Sequence, residues 1–144
     1  MKTAVVYYSF SGCTRQVAAQ LAKERGADLF EIKEAKPRSV PGAYLRGCLQ
    51  AMRRQEVAIQ PLDADLSAYD SFLLAAPIWA GSPAPAFNSA LKLLPGHCRV
   101  ELILTSASGD SSRSKQKTIA KAEAAGFQVT GYRDVETRKM EKDV

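Results

Sequence analysis

The feature that most constrains this chain is a fivefold alternation of short apolar runs with segments of helical period. Lys2 to Tyr8 is β-branched and aromatic and reads as a strand. From Thr14, Val17, Ala18, Leu21 and Ala22 recur at spacings of three and four, the period of an amphipathic helix, and Gly26 closes it. Leu29 to Ile32 is a second strand, and Tyr44 to Gln55 a second helix with Leu45, Cys48, Leu49 and Met52 on one face. Ser71 to Ala76 is a run of the kind buried on both sides of a parallel sheet. Ala86 to Leu94, Val100 to Thr105, Ser111 to Ala125 and Phe127 to Tyr132 continue the pattern as helix, strand, helix and strand. Strands that alternate with helices in this way predict an α/β domain with a doubly wound parallel sheet, in one domain over residues 1–144.

In such a sheet a ligand sits at the carboxyl ends of the strands, near the point where strand order reverses. Three loops leave those ends. The first, Ser9-Phe10-Ser11-Gly12-Cys13-Thr14, gathers hydroxyls and a glycine around a helix start, where backbone N–H groups and the helix dipole favour an anion. It is neither a Walker A loop nor Gly-x-Gly-x-x-Gly. The second is Pro77-Ile78-Trp79-Ala80-Gly81-Ser82-Pro83, and the third Ser106-Ala107-Ser108-Gly109-Asp110.

Composition excludes several classes. With 46% apolar and 24% charged residues the chain is an ordinary globule, and its longest nearly apolar run, Phe72 to Ala80, is far short of the roughly 18 residues of a membrane span. No leader is evident in Met1-Lys2-Thr3, so a cytoplasmic location is expected. Cys13, Cys48 and Cys98 are too scattered for a zinc or disulfide framework and are expected as free thiols; no metal site is expected. The net charge of +5 is concentrated between Lys33 and Arg54, where six basic residues meet one acid; the remainder holds fourteen of each sign. That is a local patch, unlike the broad basic coat of a nucleic-acid binder, and no nucleic-acid partner is expected.

These three loops, in this order, resemble the flavodoxin family: the hydroxyl-rich phosphate loop Ser9 to Thr14, the proline and tryptophan loop Pro77 to Gly81, and the hydroxyl and glycine loop Thr105 to Asp110. The resemblance implies a flavodoxin-like, three-layer fold with strand order 2-1-3-4-5 and bound FMN. It implies that Ser9, Phe10, Ser11, Gly12, Cys13 and Thr14 hold the phosphate, with Ser9, Ser11, Gly12 and Thr14 foremost. Pro77, Ile78, Trp79, Ala80 and Gly81 then border the flavin, with Trp79 as its flat wall, and Ser106, Ala107, Ser108, Gly109 and Asp110 flank the other side. Physical reasoning also favours a flavin, which needs a dianion cradle and an apolar wall.

Two departures from the family pattern bear on function. The loop after the fourth strand carries no aromatic, so one flavin face is expected to be open. The basic segment is expected to attract a phosphate-bearing nicotinamide, an acidic substrate or an acidic protein acceptor. Both favour a small FMN-dependent reductase that takes electrons from a reduced nicotinamide or a reductase protein and passes them to a quinone-like acceptor. The alternatives are an electron carrier and a family member without flavin. A phosphatase is not expected, because Ser9 stands where a Cys-x5-Arg nucleophile would be. His97, in the turn before the fourth strand, lies at the wrong end. Only a dozen residues follow Tyr132, so a shortened C-terminal helix is expected. Glu101, Gln128, Thr130 and Tyr132 are then expected to share a thinly covered face, with a homodimer to cover it.

Overall fold

The computed structural model describes residues 2–140, and the side chains of 42–44 are not described. Five parallel strands, β1 (Thr3–Tyr8), β2 (Asp28–Ile32), β3 (Ser71–Trp79), β5 (Arg99–Ser106) and β6 (Gln128–Glu136), lie in the order β2-β1-β3-β5-β6. The two residues of β4 (Ser82–Pro83) pair antiparallel with the end of β3. Strand order reverses between β1 and β3, so the carboxyl ends of these strands open a crevice there.

Alternating residues of the central strands face opposite layers. Ala4, Val6, Tyr8, Leu74, Leu102 and Leu104 pack in one core with Phe87, Ala90 and Leu91 of α3 (Pro85–Leu93) and Ala122 of α4 (Ser112–Ala124). Val5, Tyr7, Leu73, Ala75 and Ile103 pack in the other with Ala18, Leu21 and Ala22 of α1 (Cys13–Arg25). Val5, Val6, Phe72, Leu73 and Leu74 are essentially sealed from solvent. Each such side chain stabilises the fold by about 1.5–3 kcal/mol.

Between β2 and β3 the chain makes a composite helix, here α2: an α-turn (Val40–Gly42), a π-helical turn (Ala43–Gly47) and a further α-turn (Cys48–Met52). The apolar stripe read from the sequence on this helix faces outward. Leu45 is 79% exposed, Met52 60% and Leu49 46%, while Gly47 and Ala51 are buried. Periodicity located the stripe, but it carried no information on which side the core lay.

The C-terminal end also differs from expectation. No helix follows β6 among the described residues; the strand runs on to Glu136 and ends in a turn at residues 137–140. A bulge at Thr130, between the pairs Val100↔Val129 and Glu101↔Gly131, breaks the alternation expected of Gln128, Thr130 and Tyr132. Tyr132 therefore packs with the α3/α4 core, while Glu101 lies over the opposite layer, held by Arg25 at 3.2 Å and Arg133 at 3.7 Å. The expected shared polar face does not form.

Candidate functional site

The first loop leaves β1 and turns into α1 through Gly12, whose φ of 93° is left-handed and suits glycine. Ser9 Oγ accepts the Gly12 N–H at 3.1 Å, so this hydroxyl closes the turn from behind. Gly12 itself, at the cap position of α1, makes no side-chain cap bond. Thr14 is buried, and its Oγ1 pairs with Thr105 Oγ1 at 2.7 Å, joining the loop to the end of β5. That pair uses one hydroxyl proton of two. Arg15 does not add its charge here; it pairs with Glu31 at 2.9 Å.

The second loop is an extension of β3. The strand continues through Pro77, which is tolerated because pairing with β1 has ended at Ala75. Ala80 (φ 50°) and Gly81 (φ 87°) then make a two-residue hairpin with both angles positive, the type I′ geometry that matches strand twist. Trp79, paired with Ser82 across this hairpin, is fixed by its backbone. Tyr8 and Phe10 meet its ring edge to face at 5.9 and 5.7 Å, and the Arg38 guanidinium lies over it at 5.5 Å.

Arg38 is held by a buried network that sequence reasoning missed. Its Nε donates to both oxygens of Glu34 at 2.8 Å, and its Nη2 donates to Gln50 Oε1 at 2.6 Å. Tyr8 Oη donates to Glu34 Oε1 at 2.6 Å. Burial, reinforced by the Glu34 carboxylate, pushes the Tyr8 phenol well above its ordinary pKa. The network clamps α2 to the end of β1 and beside Trp79. Gly47 completes the clamp: a Cβ there would lie 2.7 Å from Trp79 Cζ3.

In the third loop, Gly109 (φ 71°) donates its N–H to Ser106 Oγ at 3.0 Å, and a Cβ on it would strike Glu136 at 2.9 Å. Ser108 Oγ accepts the Asp110 N–H, and Asp110 accepts the Ser112 N–H at 2.9 Å. That backbone donor holds the Asp110 carboxyl below its usual range. Thr137 N–H donates to Ser106 O at 2.9 Å and folds the tail back onto the loop.

These parts enclose a cavity of about 550 Å³. Of the residues expected at the site, Phe10, Ser11, Cys13, Thr14, Pro77, Ile78, Trp79, Ala80, Ser106 and Ala107 line it. Ser9, Gly12, Gly81, Ser108, Gly109 and Asp110 do not; they shape the turns behind the wall. Thr105, the first residue of the third loop, also lines it, as do Val40, Cys48, Thr137 and Arg138, which were not foreseen. Thr105 was legible as the last residue of its strand; nothing in the charged tail marked Thr137 or Arg138. The basic segment contributes less free charge than its composition suggests, because Arg38 is buried against Glu34 and Arg54 donates to Thr118 and Ser114.

The volume falls within the roughly 300–1,000 Å³ of small-molecule sites. Hydroxyls of Ser11, Thr14 and Thr105 at a helix start suit an anionic group. Ile78, Trp79 and Val40 supply an apolar wall for a flat ring. Among the described residues no other aromatic besides Phe10 joins Trp79 in the wall, and Phe10 stands edge-on to it at 88°. The three cysteines are free thiols, and no helix among the described residues is long and apolar enough to cross a membrane.

Solved structures share this architecture. A Lactobacillus acidophilus flavoprotein in complex with FMN is 27% identical with a TM-score of 0.75, each chain covered to 91%. The apo-form of the flavoprotein from the same organism is 26% identical, with a TM-score of 0.68 and coverage of 98% of this chain and 97% of that one. A Bacteroides eggerthii protein, 22% identical, has the same fold at a TM-score of 0.78, over 97% of this chain and 90% of its own. No curated protein matches the chain. Residues 2–129 match the flavodoxin family along nearly the whole sheet, and the chain belongs to that family.

Proposed function

We propose that the cavity binds FMN and that the protein is a small oxidoreductase, taking electrons from a reduced nicotinamide or a reductase protein and passing them to a quinone-like acceptor. The observation that carries this reading is the combination, in one cavity, of a helix start capped by a glycine with three hydroxyls and a single flat indole wall. Ser11 and the first-turn backbone of α1 are suited to the phosphate, with the spare proton of the Thr14–Thr105 pair as a further donor. Trp79, locked by its hairpin and by Arg38, presents an apolar border to the isoalloxazine. Ser106, the last residue of β5, and Ala107 border the cavity with small side chains, in keeping with an acceptor that approaches the ring from that side.

When bound, FMN supplies the one- and two-electron chemistry, and the protein's part is binding, orientation and electrostatics. Arg138 at the cavity wall adds a cation suited to an acidic substrate or a nucleotide phosphate. The relative's FMN complex supports the choice of ligand. The second reading is an electron carrier for an acidic protein partner, favoured by the exposed basic residues of the 33–54 segment. Mixing reduced nicotinamide with the FMN-loaded protein separates the two: steady turnover with a quinone is expected, whereas reduction only through a partner reductase would replace the enzyme with the carrier.

A further inference from the structure

The side chains that the fold leaves exposed on α2 form a second feature, distinct from the cavity but touching it. Leu45, Leu49 and Met52 follow at intervals of four and three and share one side of the helix, 79%, 46% and 60% exposed. Val40, 50% exposed at the start of the same helix, lines the cavity together with Cys48. Scattered exposed leucines are ordinary, but a contiguous apolar patch beside a cavity marks an interaction site.

Its rim is basic. Arg46 and Arg53, each next in the chain to a residue of this face, and Lys36 before the helix are exposed, while the acids nearest in sequence are already engaged, Glu34 by the buried Arg38 and Glu56 by Lys92 at 3.0 Å. The clamp of Glu34, Gln50 and Gly47 fixes α2 against Trp79, so this surface is held in place relative to the cavity.

We propose that the outer face of α2 is the docking surface for an acidic electron-carrying protein, which settles with an apolar centre on Leu45, Leu49 and Met52 and carboxylates against Lys36, Arg46 and Arg53. The partner's role rests on the redox reading above; the surface is built from side chains that stand outside the cavity, apart from Val40 at its edge. Charge selects this occupant. A second copy of the chain would bring like charges together, which opposes association. A membrane would need an amphipathic face broad enough to sink roughly 5–10 Å into the headgroup region, and four apolar side chains do not make one. A small apolar centre with a charged rim is the make-up of weak, transient redox complexes.

The test is a backbone-amide NMR titration of the full chain, as purified and again with saturating FMN. The probes are an acidic plant-type [2Fe–2S] ferredoxin, basic cytochrome c as the charge-inverted control, and vesicles of anionic lipid. Ferredoxin is expected to shift amides of residues 36–53, with affinity falling by about tenfold between low and physiological salt. Arg46→Glu/Arg53→Glu abolishes the shifts, and Leu45→Ser/Leu49→Ser weakens them about fivefold while leaving the remaining spectrum, and hence the fold, unchanged. These shifts support the proposal whether or not FMN binds, so a failed FMN titration overturns only the redox reading. Absence of ferredoxin shifts on α2, equal response to cytochrome c, or binding to vesicles in place of ferredoxin overturns the docking proposal.

Discussion

Arg38→Ala probes the clamp beneath the site most sharply. Arg38 and Glu34 side chains are 9% and 4% exposed, and the guanidinium makes two bonds to the carboxylate and one to Gln50. Removing one partner of a buried pair costs about 3–5 kcal/mol, because the other charge stays buried without compensation. Here Tyr8 still donates to Glu34, which places the cost at the lower end, about 3 kcal/mol. That is a large share of the roughly 5–15 kcal/mol that holds a domain of this kind together. Urea unfolding measures it directly. Because Trp79 is the only tryptophan and lies 5.5 Å from the guanidinium, its emission also changes in the native state. A loss below about 1 kcal/mol, the value of an exposed pair, with an unaltered tryptophan spectrum would refute the reasoning.

Further outcomes follow from the same geometry. Ser11→Asp places a carboxylate in the anion site and is expected to weaken FMN binding by about 1–3 kcal/mol in an isothermal titration. Gly109→Ala forces a Cβ against Glu136 at a left-handed φ, and a loss of about 1–3 kcal/mol in thermal unfolding is expected. The phenols of Tyr7, Tyr8 and Tyr132 are raised, chiefly by burial. Since the folded state holds these protons more tightly, stability is full below the ordinary tyrosine range and falls as pH rises above it; native phenolate absorbance should lag behind that of the unfolded chain. Cys48, half-buried in the cavity wall, should react with iodoacetamide more slowly once FMN is bound, as read by mass spectrometry.

Much of the fold was legible because two signals agreed at each strand: a short apolar run and a turn-forming loop at its end. The loops were legible for the same reason, since Gly12, Gly81 and Gly109 stand where positive φ is needed. What was hidden depends on long-range pairing. Leu45, Leu49 and Met52 have the spacing of a core face, yet the core side of α2 is chosen by Arg38 and Gly47 meeting Trp79. Arg38 looked like surface charge until Glu34 and Tyr8 were brought to it. The bulge at Thr130 turned Tyr132 to the other layer, and a single backbone bond from Thr137 to Ser106 folded the tail onto the cavity.

The central claim is that the start of α1 grips the phosphate of a flavin mononucleotide whose ring lies along Trp79. Titration of the flavin-free protein with FMN and with riboflavin, followed by quenching of the single tryptophan, tests it most directly. FMN is expected to bind with one-to-one stoichiometry and quench Trp79, and riboflavin to bind at least about a hundredfold more weakly, the value of two charged hydrogen bonds. Equal affinity for both flavins, or FMN binding that leaves Trp79 emission unchanged, would contradict it.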